Sequence, residues 1–171
     1  MPANAAVESH ESLAPIVVDV VVPCPPERAF DYFARDIGRW WPLSTHSLGG
    51  EQSADVRFEP HEGGRLIETV RDGTQHVWGT VTQWKPGQRL AFTWHLDRAP
   101  ATAQLVDVVF AAQGGQTRVT LTHAGWERRD DGAKARGNYV GGWKVLLGER
   151  YRGFCENAVA GGAAGSPPAR G

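Results

Sequence analysis

Between Asp55 and Ala124 the chain runs in short stretches of alternating apolar and polar residues, each cut by a turn dipeptide, and one long helical stripe follows. This texture constrains the fold most. Half-buried antiparallel strands must hide one apolar face, and the only sizeable amphipathic cover available to them is the final segment. Gly63-Gly64 separates VRFEP from RLIETV, and Asp72-Gly73 is a two-residue hairpin signal ahead of a Thr74 to Trp84 strand. Pro86-Gly87 precedes RLAFTWH, and Gly114-Gly115 precedes QTRVTLTH. With the β-branched run IVVDVVV at 16–22, seven strands are expected.

Pro23 ends that first run, and Pro25-Pro26-Glu27 supplies the prolines and early acid of a helix start. Ala29, Phe30, Phe33 and Ala34 then share one face, and Trp40-Trp41-Pro42 stops the helical region, so two short helices follow the first strand. The terminal helix is read over 133–158, capped by Asp130 or Asp131, with Tyr139, Trp143, Leu146, Leu147, Arg150 and Phe154 on its inner stripe. Such a helix is about 39 Å long at ~1.5 Å per residue, enough to lie across a sheet. Glycines at 137, 141, 142, 148 and 153 each cost roughly 1 kcal/mol relative to Ala in a helix interior, and a bend is expected near Gly141-Gly142. Residues 1–13 and 161–171 are too polar or too rich in Gly, Ala and Pro to offset ordering entropy, which leaves 14–160 as a single folded domain.

Charge narrows the partners. Lys plus Arg total 18 against 19 Asp plus Glu, a net charge of -1, so nothing favours nucleic acid or an anionic bilayer. No segment approaches the ~20 apolar residues of a membrane span, and the first residues lack the basic and apolar regions of a leader, so no membrane insertion and a cytoplasmic location are expected. Cys24 and Cys155 are too few for a disulfide scaffold and wrongly spaced for zinc, and read as small buried hydrophobes. The six histidines show no metal-ligand spacing, and no cofactor or metal is expected.

Period-two reading assigns inward faces. Leu90, Phe92 and Trp94 share one; Val106, Val108 and Phe110 share another, opposite Asp107; Val119, Leu121 and His123 share a third. His123 is the odd member, either a satisfied core histidine or a group aimed at a ligand. Trp40 and Trp41 point in different directions from a helix end, so one packs inward and the other lines an opening, continued by a mobile Thr45 to Gly50 loop that carries His46. Phe58, Trp78 and Trp84 are ambiguous, since Trp78 falls on the convex parity unless a bulge at Gly79 turns it inward. Trp143, with Tyr139 and Leu147 on the same helical stripe, is read as pocket wall unless the helix packs tightly on the sheet. His123, His46, Asp107, Glu68 and Tyr139 could supply acid-base chemistry, although Asp107 reads as outward.

The segments "WWPLSTHSLGG", "FEPHEGGRLIE", "DGTQHVWGTV", "RLAFTWH", "TRVTLTHAGWE" and "YVGGWKVLLG", in this order, resemble the SRPBCC (START-like, Bet v 1-like) superfamily. Within it they are similar to the branch of the C-terminal domain of the activator of Hsp90 ATPase, over about Val17 to Asn157. The resemblance implies an α+β helix-grip fold, a curved seven-stranded antiparallel sheet around a long C-terminal helix with a hydrophobic cavity between them. It implies binding of an apolar or aromatic small molecule, such as a lipid or polyketide, and in a minority of members cyclisation or dehydration. A co-chaperone role belongs to proteins with a further N-terminal domain and is not expected to carry over, although a protein-binding module stays open as an alternative, as does a homodimer. The expected site is Trp143, Phe92, Trp94, Val108, Phe110, Val119 and Leu121, with His123 or His46 as polar anchor and Trp40, Trp41, Phe58, Trp78, Tyr139 and Leu147 around it.

Overall fold

The computed structural model describes residues 13–96 and 98–165. The expected strands form one antiparallel sheet: β1 (Ile16–Val22), β2 (Ser53–Phe58), β3 (Arg65–Val70), β4 (Gln75–Lys85), β5 (Arg89–Trp94), β6 (Gln104–Gln113) and β7 (Gln116–Ala124), in the order β1-β7-β6-β5-β4-β3-β2. Each of β2 to β7 pairs with its neighbour in sequence, and β1 closes on β7 with Ile16 opposite His123 and Val22 opposite Thr117. Gly114 and Gly115, at φ 57° and 85°, make the two-residue turn between β6 and β7, a conformation that favours glycine. The β3–β4 turn is wider than a two-residue hairpin, because Val70 N–H bonds Thr74 O and the Asp72 carboxylate takes Thr74 N–H instead.

Helices α1 (Pro26–Ala34) and α2 (Ile37–Trp40) follow β1. Ala29, Phe30, Phe33 and Ala34 of α1 are buried, with the Phe30 ring at 5.1 Å from Trp84 and 5.3 Å from Phe110. The C-terminal helix lies across the concave face as α3 (Gly132–Val145), a π-helical turn (Leu146–Tyr151) and α4 (Arg152–Gly165). Helix α4 runs past the domain boundary expected at 160, to Gly165. Residues 1–12 and 166–171 of the two expected tails lie outside the described residues. Among the described residues no helix is long and apolar enough to cross a membrane.

Two expectations for this helix are corrected. The irregularity sits at the π turn around Gly148, not at Gly141-Gly142. The wider turn also shifts the inner stripe by one residue, so that Tyr151 and Cys155 are buried where Arg150 and Phe154 were expected. The shift is used: Tyr151 Oη donates to Ala29 O at 2.7 Å and fixes the helix to α1. Asp131 does precede α3, but its carboxylate is taken by Arg98 and Arg129 and makes no cap bond. Cys24 and Cys155 are both buried as free thiols.

The bulge that decides Trp78 is present. Leu66 pairs with Gly79 and Ile67 with Val77, so Trp78 is the extra residue, turns to the concave side and is fully buried. Gly79 then lies so close to β5 that a Cβ there would be 1.7 Å from Thr93 O. Gly79→Ala is expected to destabilise the fold by about 3 kcal/mol or more. Gly137→Ala, where a Cβ meets nothing within 4 Å, is expected to be neutral or stabilising by up to about 1 kcal/mol. Urea unfolding of the two variants checks the contrast, and equal losses would contradict it.

Candidate functional site

Beneath the middle of the C-terminal helix the interior is filled. Trp41, Trp78, Trp94 and Trp143 form a cluster with ring centroids 5.6–6.0 Å apart. Such tilted and edge-on contacts are favourable for aromatic rings and leave little free volume. A cavity of about 290 Å³ remains at one end, lined by Trp41, Thr45, His46, Ser47, Leu48, Trp94, Leu96, Asn138, Tyr139, Gly142 and Leu146. Three pieces of chain distant in sequence build it.

The first wall is the segment after α2. Trp40 is core, with its indole N–H on Tyr32 O at 3.0 Å and its ring beside Phe33 and Tyr151. Trp41 faces the cavity and donates to His46 O at 2.7 Å. The 45–50 segment, expected to be mobile, is tied down by a buried carboxylate: Leu48 N–H and Gly49 N–H donate to the two Glu68 oxygens at 2.9 and 2.8 Å, and Trp78 Nε1–H adds a third bond at 3.1 Å. Glu68 is fully buried. Burial opposes its ionisation, but the Gly49 and Leu48 donors outweigh that cost and hold its carboxyl below the ordinary value. Glu68 is thus a structural clasp on the cavity mouth.

The second wall is the end of β5. Trp94 Nε1–H donates to Tyr139 Oη at 2.9 Å, which joins β5 to α3. Leu96 takes a left-handed backbone, φ 51°, unusual for a residue with a Cβ, and lines the cavity there. The third wall is α3 and the start of the π turn, where Asn138, Tyr139, Gly142 and Leu146 fall at helical spacing on one side.

His123 lies behind this wall. Trp143 Nε1–H donates to His123 Nδ1 at 2.9 Å, so Nε2 carries the ring proton and donates to Gln104 Oε1 at 3.3 Å. The imidazole stacks on Trp126 with centroids 4.1 Å apart and is fully buried. Burial, and then the charge of Arg129, push its pKa down to about 3, so it stays neutral. His123 is a satisfied core histidine. Trp143, 1% exposed, forms the layer behind the cavity instead of its surface.

Of the residues expected at the site, Trp41, His46, Trp94 and Tyr139 line the cavity. Phe58, Phe92, Val108, Phe110, Val119, Leu121 and Leu147 are buried in the core away from it, and Trp78 packs behind Trp41 and Trp94. Asp107 sits on the convex face, held by Arg89 at 2.7 and 3.1 Å. His46 Nδ1 and Thr45 Oγ1 are 2.7 Å apart. Leu96 and Asn138 were missed: the first needs the left-handed turn to reach the wall, the second was visible only as the neighbour of Tyr139. Among the described residues no group of three or more His, Cys, Asp or Glu side chains is placed to hold a metal ion.

Two tests follow from these buried polar groups. Glu68→Gln keeps the shape but weakens the clasp, and hydrogen exchange at the Leu48 and Gly49 amides is expected to accelerate by about tenfold with β-strand amides unchanged. Because His123 is depressed in the folded state, its contribution to stability is complete above about pH 6.5, the unfolded value, and is lost as pH falls toward about 3. Urea midpoints measured across that window check this, with a flat profile as the contrary result.

The family model described as activator of Hsp90 ATPase homolog 1-like protein matches residues 23–150. Protein MLL2253 from Mesorhizobium loti has a similar structure, at 19% identity and a TM-score of 0.64 over 84% of this chain and 98% of that one. The Aha1 dimer from Colwellia psychrerythraea is similar at 19% identity and a TM-score of 0.54, covering 78% of this chain and 90% of that one. Higher in identity, at 36%, is an anthrahydroquino-γ-pyrone synthase, Txn09, with a TM-score of 0.53 over 72% of this chain and 84% of that one. No curated protein matches the chain.

Proposed function

The chain belongs to the activator of Hsp90 ATPase homologue 1-like family, and we propose that this member binds a flat aromatic small molecule of polyketide type in the end cavity. The supporting observation is the cavity lining, in which Trp41, Trp94 and Tyr139 present ring surface while Thr45, His46, Ser47 and Asn138 supply polar groups for orientation. A volume of about 290 Å³ suits a compact, planar molecule better than a two-chain lipid. The similarity to a synthase named for a fused aromatic pyrone supports the same ligand class.

A second reading, acid-base ring closure or dehydration in the same cavity, is favoured by a specific arrangement. His46 and Tyr139 are both in the lining, and the Thr45 hydroxyl beside His46 Nδ1 orients that imidazole. A protein-docking role has less support, because exposed Val17 on β1 and exposed Leu105 and Val109 on β6 are separated by Thr120 and Thr122 of β7. Residence in the cytoplasm and a homodimer belong to the same proposal, the latter supported by the dimeric neighbour.

Titration with N-phenyl-1-naphthylamine, a neutral fluorescent aromatic, tests the binding reading. Saturable one-to-one binding is expected, and Gly142→Leu, which adds a side chain where a Cβ meets nothing within 4 Å, is expected to weaken it by at least about tenfold without lowering the melting temperature. Unsaturable uptake, or binding indifferent to Gly142→Leu, would overturn it. Turnover of a polyketide-type aromatic precursor that is lost in His46→Gln while the probe still binds would establish the enzymatic reading.

A further inference from the structure

Tyr139 lines two hollows. The second, of about 310 Å³, adjoins the aromatic cavity and shares Leu96, Asn138 and Tyr139 as common wall. Among the described residues its lining carries Arg98, Arg129 and Lys134 with a single carboxylate, Asp131. Arg129 occupies both Asp131 oxygens through Nε and Nη2 at 2.9 and 3.0 Å, and Arg98 Nη2 shares one of them at 3.0 Å. One negative charge therefore serves two guanidiniums. Lys134, in the first turn of α3, has no ion pair among the described residues. The described lining residues thus carry surplus positive charge in a chain whose formal net charge is -1.

A second observation marks the same place. Leu96 has the only positive φ of a non-glycine residue among those described, 51°, and it stands in the wall between the two hollows. A leucine in that region is strained, and such strain persists where the surrounding structure imposes it, often at ligand sites. The backbone is held in place by Trp78 O, which accepts from both His95 N–H and Leu96 N–H, so the junction between aromatic and cationic compartments is built rather than loose.

We propose that the second hollow is an anion subsite, and that the ligand of this protein is an aromatic acid: its ring system lies against Trp41, Trp94 and Tyr139, and its carboxylate or equivalent anionic group faces Arg98, Arg129 and Lys134. This rests on the aromatic-binding reading and adds to it the charge of the ligand. An exposed pair of cations acts over a screened distance, so the expected preference is modest and sensitive to salt.

Two probes with one ring system separate the claims: neutral N-phenyl-1-naphthylamine and 8-anilinonaphthalene-1-sulfonate, which differ by the sulfonate. Arg98→Ala/Lys134→Ala is expected to weaken binding of the sulfonate by about five- to tenfold at low ionic strength while the neutral probe changes less than about twofold. The loss should shrink in ~0.5 M NaCl, and Arg98→Lys/Lys134→Arg, which keeps both charges, should retain the sulfonate. Equal loss for both probes, or no loss for either, would overturn the anion subsite and leave the aromatic cavity standing. Failure of both probes to bind the wild-type protein would overturn the cavity reading, and the subsite with it.

Discussion

The indole N–H of Trp143 on α3 meets the imidazole of His123 on β7 at 2.9 Å, in a layer from which water is excluded. The other imidazole nitrogen is engaged by Gln104, so Nδ1 is left to Trp143, and a buried polar group left unpaired costs about 1–3 kcal/mol. The bond therefore holds the helix to the sheet at one height and in one rotation. Once it is made, Trp143 stands against Trp41 and Trp94 and the centre of the grip is full. The aromatic-lined cavity lies beyond that layer, where Gly142 and the left-handed Leu96 stand in its wall. The position of the cavity is a consequence of where the aromatic layer stops.

A second buried polar group acts on the loop side. Glu68 is far in sequence from the 45–50 segment, yet its two oxygens receive consecutive backbone N–H groups there. Gly49 suits this approach, since a Cβ would stand 2.9 Å from the carboxylate oxygen. The same carboxylate accepts from Trp78, so the bulged strand, the mouth loop and the aromatic layer share one acceptor. Charge concentrated on Glu68 is held by directed donors, whereas the charge of Asp131 is shared between a part-buried Arg129 and an exposed Arg98. The first arrangement gives rigidity and the second gives a field, which suits a wall and an anion subsite respectively.

Much of the architecture was legible because turn chemistry is local. The Gly-Gly and Pro-Gly breaks, with the alternation between them, carry the strand count, and the apolar faces of β5, β6 and β7 followed directly from parity. What escaped depends on relations between elements. Trp78 faces inward only because β4 carries one residue more than β3 at that point. The inner stripe of the last helix passes from Trp143 and Leu147 to Tyr151 and Cys155 because the π turn adds a residue, something a 3.6-residue period does not contain. At the site, Trp41 and Trp94 could be found as large aromatics at element ends, and Tyr139 on the inner stripe of the last helix. His123 could not be sorted into core or anchor without knowing that Trp143 and Gln104 satisfy both of its nitrogens. A wider ligand site was expected across Phe92, Phe110 and Leu121, because periodicity gives the facing of residues but not the distance between the surfaces they cover.

The ligand reading depends on a filled aromatic layer with a cavity beyond its Trp41 and Trp94 edge. Indole N–H resonances report on it directly, because the seven tryptophans run from the deep core to the cavity wall. In ¹⁵N-labelled protein titrated with a neutral bicyclic aromatic, the account predicts the largest shifts at Trp41 and Trp94, with Trp40, Trp84 and Trp126 unmoved. Largest shifts at Trp126 or Trp84, or small uniform shifts across all seven, would contradict it.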